Sequence, residues 1–394
     1  MSSVSAAPVI QTAPQICRRC IIDERVPGAV FAADGTCSYC RIHDALCEAY
    51  PNDARGQQKL DELLERVRSD GKNKRYDCVV GVSGGTDSTY LLYYALSKGL
   101  RPLAVHFDNG WNSEIAVDNI RRSISALGVD LQTYVVDWEE FKDILRAHLK
   151  ASIPWADAPT DLGLTAALYR IAQEEGVRHI LVGNNFRSEG KQPTEWTYCD
   201  GRMIRAIVKR FGTTKLKSFP NLTISRLFWT AFVRRVRLVR PLYYIPYSKQ
   251  DAKKLIEDKF GWRDYGGHHY ESIFTRFVYS VYLPEKFGID KRLISLSAQV
   301  RSGVMTREAA LDEIARPPIE AERRESDMAY VAKKLGFSEL EFKQILTAEP
   351  KSVFDYPSYH PMIRKFQRAA RTAAKVLLPW TPMMFYEMDV RDSE

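Results

Sequence analysis

The apolar run Asp77-Cys-Val-Val-Gly-Val82 followed at once by Ser83-Gly84-Gly85-Thr86-Asp87-Ser88 decides how the rest of the chain is read. The apolar run reads as a strand, and the Ser/Gly turn after it opens a helix at Ser88. Two adjacent glycines let backbone approach an anion closely. Hydroxyls and the N–H groups of a fresh helix terminus donate to it, so the stretch describes a pyrophosphate cradle. Asp87 is the odd member, because a carboxylate beside phosphate is repelled unless a divalent cation lies between them. It therefore reads as a Mg²⁺ ligand.

Outward from the loop the pattern alternates. A helix from Ser88 to Lys98 is closed by Gly99, a strand covers Leu103–Phe107, and a helix over Ser113–Leu127 stops at Gly128. A strand over Leu131–Val136, a helix from about Asp161 to Glu175 and a strand over His179–Val182 follow. This spacing predicts an α/β fold with a doubly wound parallel sheet and a ligand at the C-terminal strand ends. Asp108 and Asn109 end one strand at that edge. Gly183, Asn184 and Asn185 end another, where an ordinary strand-ending turn is the competing reading. The loop lacks the G-x-x-x-x-G-K-[ST] pattern of a Walker A motif. It resembles the SGGxDS loop of the ATP pyrophosphatase (PP-loop) superfamily, whose members split ATP between the α and β phosphates and adenylylate a carbonyl oxygen.

Cys17-Arg-Arg-Cys20 and Cys37-Ser-Tyr-Cys40, separated by sixteen residues, have zinc-ribbon spacing. Four thiolates close a tetrahedron and leave no position for water, so the expected Zn²⁺ is structural. Cys78 reads as a small buried apolar side chain, and nothing marks Cys47 or Cys199 as reactive.

At 394 residues, 45% of them hydrophobic, the chain can bury several cores. The expected organisation is a disordered N-terminus (1–15), a four-cysteine zinc module (16–45), a helical linker (46–75), a PP-loop domain (76–245), a helical C-terminal substrate region (246–350) and an extension (351–394). No apolar run is long enough to span a bilayer and the first fifteen residues lack a signal-peptide pattern, which with the cysteine usage predicts a cytoplasmic protein. The formal charge of +8 is uneven: residues 201–250 hold twelve Arg and Lys and no Asp or Glu. Over 202–240 basic and aromatic residues interleave, a composition that suits an anionic membrane surface, an acidic partner or RNA, or else a solvated face. Ile363–Leu378 is a second basic amphipathic stretch, read as a packing helix.

The Cys pairs, the loop, Val105-His-Phe-Asp-Asn-Gly-Trp-Asn-Ser113, Gly261-Trp-Arg-Asp-Tyr-Gly-Gly-His-His-Tyr-Glu-Ser272, Thr275-Arg-Phe277 and Leu283-Pro-Glu-Lys-Phe-Gly288 together resemble the N-acetyl sugar amidotransferase family within that superfamily. The resemblance spans roughly residues 15–345. It implies ATP, Mg²⁺ and a nucleotide-linked N-acetyl sugar as ligands, and an acetamidino sugar for surface polysaccharide, such as lipopolysaccharide O-antigen or nonulosonic acid, as product. Thr86 stands where many relatives carry Lys, which leaves the backbone and Asp87 to carry the loop.

On this reading Ser83, Gly84, Gly85, Thr86, Asp87, Ser88, Asp108, Asn109, Gly183 and Asn184 bind the nucleotide. His268, His269 and Glu271 handle protons beside Asp87, while Tyr265, Gly266, Gly267 and Arg276 meet the sugar. Lys286, Lys291 and Arg292 are weaker candidates for leaving pyrophosphate. The chain has no cysteine in a glutaminase setting, so a separate glutaminase is expected to supply ammonia. Two rival readings remain. One is a thiolase-like tRNA-modifying enzyme, against which no second cysteine pair lies near the loop; the other is a noncatalytic nucleotide-binding scaffold.

Overall fold

The structure, a computed structural model, describes residues 14–267, 269–367 and 369. Five parallel strands form one sheet in the order β3-β2-β1-β4-β5: β1 Cys78–Gly81, β2 Pro102–Asp108, β3 Leu131–Val135, β4 His179–Leu181 and β5 Arg237–Val239. Val79 lies opposite both Leu103 and Ile180, so β1 is central and buried on both faces. Val79 and Ile180 join the core on one face, and Cys78 and Val80 join that on the other. Burial of one such valine stabilises by roughly 1.5–3 kcal/mol, so a charge at Val80 would break the sheet at its centre.

The helices lie where the periodicity put them: Thr86–Ser97 after β1, Glu114–Leu127 after β2 and Ala158–Glu174 before β4. The Ser113 hydroxyl accepts from the Ala116 N–H to open the second, and Gly128 closes it at φ +60°. The sequence did not announce β5. Its three residues are too short for a period, and they end the basic stretch 202–240, which is therefore not one continuous surface. Within that stretch Ile224–Val233 is helical and leaves Phe228, Trp229 and Val233 at least half exposed.

The N-terminal module and the C-terminal helices share a core. Ile21 packs with Leu296 and Ala310, the Ile21 N–H donates to Ser297 Oγ at 3.3 Å, and Arg307 donates to the carbonyls of Cys17 and Cys20. Helix Arg292–Arg301 also packs on the turn Phe186–Glu189, where Gly190 at φ +72° leaves no room for a Cβ beside Ile294. The cysteine module thus supports the loop that leaves β4. Residues 1–13 and most of the Ile363–Leu378 stretch lie outside the described residues.

Candidate functional site

The sheet order turns back between β1 and β4, and a sheet opens a crevice at such a switch point. The Ser83–Ser88 loop leaves β1 there and Gly183–Asn185 leaves β4. A Cβ on Gly183 would sit 3.0 Å from the Asp87 carbonyl carbon and oxygen, a contact tight enough to favour glycine there. Gly84 adopts φ +77°, and a Cβ on it would meet the Ala116 carbonyl oxygen at 2.3 Å. The loop is held from within by Ser88 Oγ, which accepts from the Ser83 N–H at 3.2 Å and donates to the Gly85 carbonyl.

Residues 262–267 and 269–273 form the facing wall and are strapped down at both ends. Trp262 Nε1–H donates to the Gly84 carbonyl at 2.9 Å and Asn119 exchanges two hydrogen bonds with the Arg263 backbone. At the other end Asn112 bridges Ser272, the Ser113 N–H donates to the Glu271 carbonyl and the Ile273 N–H to that of Trp111. Between the straps Tyr265 Oη and Glu271 Oε1 face Gly85, at 3.3 and 3.7 Å from where a Cβ would stand. Gly266 takes φ +90°, Gly267 lies against the Tyr270 ring, and His269 is left-handed at φ +60°, a rare conformation for a residue with a Cβ. His268 lies outside the described residues.

Asp87 accepts from the Tyr247 hydroxyl, and Lys249 Nζ lies 3.7 Å from its other oxygen. Glu189, at the end of the turn after β4, is the acidic neighbour that sequence reading missed. Desolvation, then the charge of Asp87, pushes its carboxyl up to about 7. Glu271 is held below its ordinary range despite desolvation, because His269 Nδ1 lies 3.4 Å from Oε1; its buried Oε2 has no hydrogen-bond partner among the described residues. The same carboxylate raises the imidazole of His269 against the opposing desolvation. Buried Thr86 Oγ1 also has no hydrogen-bond partner among the described residues. The charge of Asp87 acts on Glu189 beside the glycine cradle, so these two carboxylates could hold a divalent cation carrying phosphate.

Several expected contacts are engaged elsewhere in the structure. Arg276 is buried and makes a bidentate pair with Asp327, both contacts at 2.6 Å, as a structural arginine does. Asp108 accepts from the Gly110 N–H, and buried Asn109 accepts from Trp111 N–H and donates to Thr160. Asn184 is exposed at the strand end. Lys286 donates to the Ile345 carbonyl and Arg292 closes on Asp290, Glu313 and Arg316. Lys291, a candidate for the leaving pyrophosphate, is 3% exposed and clamped between Trp155 and Tyr279. A lysine at the very start of a helix gives no local sign of such burial.

In the N-terminal module the four cysteine sulfurs lie within 4.8 Å of one another, with Cys17–Cys40 and Cys20–Cys37 both at 3.7 Å. Metal–sulfur bonds of about 2.3 Å give a regular tetrahedron edges of about 3.8 Å, so the set fits a single tetrahedral ion. The N–H groups of Arg19, Cys20 and Cys37 turn onto Cys17 Sγ, and Arg301 donates to Cys20 Sγ at 3.5 Å.

Comparison with known proteins divides along the same lines. The model of the family described as queuosine biosynthesis protein QueC matches residues 77–157, and that of LPS biosynthesis protein WbpG-like, C-terminal domain, matches residues 271–371. The two matches support the PP-loop superfamily. An uncharacterized protein of Methanocaldococcus jannaschii is 20% identical over 276 residues, covering 69% of this chain and 83% of that protein. Among solved structures, the U34-tRNA thiolase NcsA from Methanococcus maripaludis with its [4Fe-4S] cluster aligns with a TM-score of 0.33 at 13% identity, covering 88% of this chain and 97% of that one. NMN synthetase from Francisella tularensis aligns with a TM-score of 0.27 at 16% identity, covering 54% and 89%. Among the described residues no helix is long and apolar enough to cross a membrane.

Proposed function

We propose that the chain is an ATP-dependent amidotransferase that converts the N-acetyl group of a nucleotide-linked amino sugar into an acetamidino group, releasing AMP and pyrophosphate. The observation that carries this reading is one shared cleft: the glycine loop forms one wall, and residues 265–267 and 269–272, with the WbpG-like match beginning at Glu271, form the other. LPS biosynthesis and an adenylylating loop then meet at a single site.

An N-acetyl carbonyl is a poor electrophile whose oxygen leaves badly. The amide oxygen attacks the α-phosphorus, pyrophosphate departs, the amide N–H proton is lost and an O-adenylyl imidate remains. Ammonia then adds to the imidate carbon, the C–O bond breaks and AMP leaves. Ser83, Gly84, Gly85, Thr86 and Ser88 hold the β and γ phosphates at the helix terminus; Asp87 and Glu189 would hold Mg²⁺, which would supply neutralisation of the phosphate charge. Glu271 and His269 face that point as the proton-handling pair. Asp108, Asn109, Gly183 and Asn184 border the nucleoside; Tyr265, Gly266 and Gly267 close on the sugar. The tetrathiolate set holds zinc.

Ammonia comes from a separate glutaminase docked on the exposed basic and aromatic face around Arg226–Arg235 of a cytoplasmic enzyme. Trp229→Ser should therefore lower turnover with glutamine plus that partner and leave turnover with ammonium salts unchanged. Equal loss with both would remove the docking assignment.

The deciding assay is AMP and pyrophosphate release from ATP with Mg²⁺, ammonium chloride and a panel of nucleotide-linked N-acetyl sugars. A product about one mass unit lighter, O replaced by NH, with stoichiometric AMP establishes the reaction. No product from any sugar, with ATP consumption stimulated by tRNA, would overturn it.

A further inference from the structure

Beside the cleft lies a polar cluster that the chemistry above leaves unused. Lys291 Nζ sits 3.7 Å from the Trp155 ring centroid and 4.2 Å from that of Tyr279. Among the described residues no carboxylate is within ion-pair distance of it, although Asp157 and Asp161 act on its charge. Asp157 is 1% exposed; its Oδ2 accepts from the Thr275 hydroxyl at 2.6 Å and its Oδ1 has no hydrogen-bond partner among the described residues. Asp161 Oδ2 accepts from Trp155 Nε1–H at 2.8 Å, and the residue is exposed to solvent. The His269 ring lies 4.9 Å from that of Tyr279, so the cluster adjoins the loop of the proposed site.

Two aromatic faces with two carboxylates are complementary to a compact cation, and a buried carboxylate oxygen without a donor is costly unless a ligand supplies one. Burial pushes Asp157 up to about 7 and Lys291 down to about 7, which shows how poorly the protein alone satisfies these charges. The resident ammonium rests on ring faces instead of on an acceptor.

We infer that Trp155, Tyr279, Asp157 and Asp161 form a subsite for a nitrogen cation, with Lys291 as its internal stand-in, and that the site receives the amidinium group of the product. The inference rests on the proposed reaction for the identity of that cation. Neutral ammonia adding to a neutral imidate forms the C–N bond, the C–O electron pair leaves with AMP, and the positive charge appears on the planar N–C–N unit. Amidinium presents N–H donors in the plane for carboxylates and a charged face for aromatic rings. The neutral N-acetyl precursor offers a single N–H and no charge, so the subsite favours the charged end of the reaction.

Acetamidinium chloride is the probe, titrated calorimetrically into the full chain at fixed pH and ionic strength, with neutral acetamide and NaCl as references. Saturable binding of acetamidinium alone is expected. Asp161→Asn should weaken it about tenfold, and Lys291→Met, which removes the competing cation, should tighten it severalfold. Should Lys291→Met not fold, Tyr279→Leu provides the second reading, with weaker binding expected. Acetamidinium binding no better than acetamide in the wild-type chain overturns the inference, as does tighter binding in Asp161→Asn. Because neither ATP nor sugar is present, saturable acetamidinium binding beside a failed sugar assay would keep the subsite and discard the reaction.

Discussion

Four sulfurs in the cysteine module occupy a volume that one ion fills, with three backbone N–H groups and Arg301 turned onto them. In the switch-point cleft the charges of Asp87 and Glu271 act on Glu189 and drive it toward neutrality, and Glu271 Oε2 and Thr86 Oγ1 have no hydrogen-bond partner among the described residues. One cluster is complete with a single ion; the other holds charges and acceptors that the chain itself does not satisfy. The difference separates support from chemistry, since a closed donor set stabilises its surroundings, whereas an open one stores unfavourable electrostatics that a substrate relieves.

The largest test of that contrast is Cys40→Ser. It should release the metal and destabilise the chain by several kcal/mol, because the module carries helix Arg292–Arg301 and, through it, the turn of Glu189. Metal content and thermal unfolding read this together. An unchanged melting temperature in the metal-free protein would show that the module is not a support, and iron in place of zinc would reject the assigned ion. Asp87→Asn is the opposite case. Pyrophosphate release should fall by at least about 100-fold with stability almost unchanged, and full release by a folded Asp87→Asn protein would remove Asp87 from the machinery.

What could be read from sequence follows the range of the forces involved. Gly84 and Gly85 were legible because backbone geometry is local. So were the cysteine pairs, since a knuckle is built from neighbouring residues. Glu189, Tyr247 and Lys249 were not, because each acquires its meaning by approaching Asp87 from far along the chain. Arg276 shows the converse error: its place beside the Gly-Gly-His-His motif implied substrate, yet the fold supplied Asp327, 51 residues later, as its partner. β5 was hidden for another reason. A three-residue edge strand set among arginines has no pattern to distinguish it from surface.

Glu189→Gln tests the cleft through pH. The folded carboxyl lies near 7, above its unfolded value, so the native state binds the proton more tightly and loses stability as pH rises from the usual carboxylate range through 7. Glutamine does not ionise. The variant should match wild type near pH 4.5 and exceed it above pH 7 by roughly 1–3 kcal/mol in denaturant unfolding, while losing Mg²⁺-dependent activity. A constant difference across that range would mean that Glu189 is not crowded by Asp87.

The smallest expected effect belongs to Arg301, where the two regions are easiest to confuse. A divalent ion with four thiolates keeps two excess negative charges, and the guanidinium 3.5 Å from Cys20 Sγ is the cation nearest to that sulfur among the hydrogen bonds described. If the module is a closed support, Arg301 tunes the ion without being needed for the fold. Arg301→Gln should then weaken metal retention about tenfold in competition with a chelator, shift unfolding only slightly, and leave pyrophosphate release as it was. A variant that keeps its metal but loses activity would instead tie the module to the reaction, and the line between a finished cluster and an unfinished one would have to be redrawn.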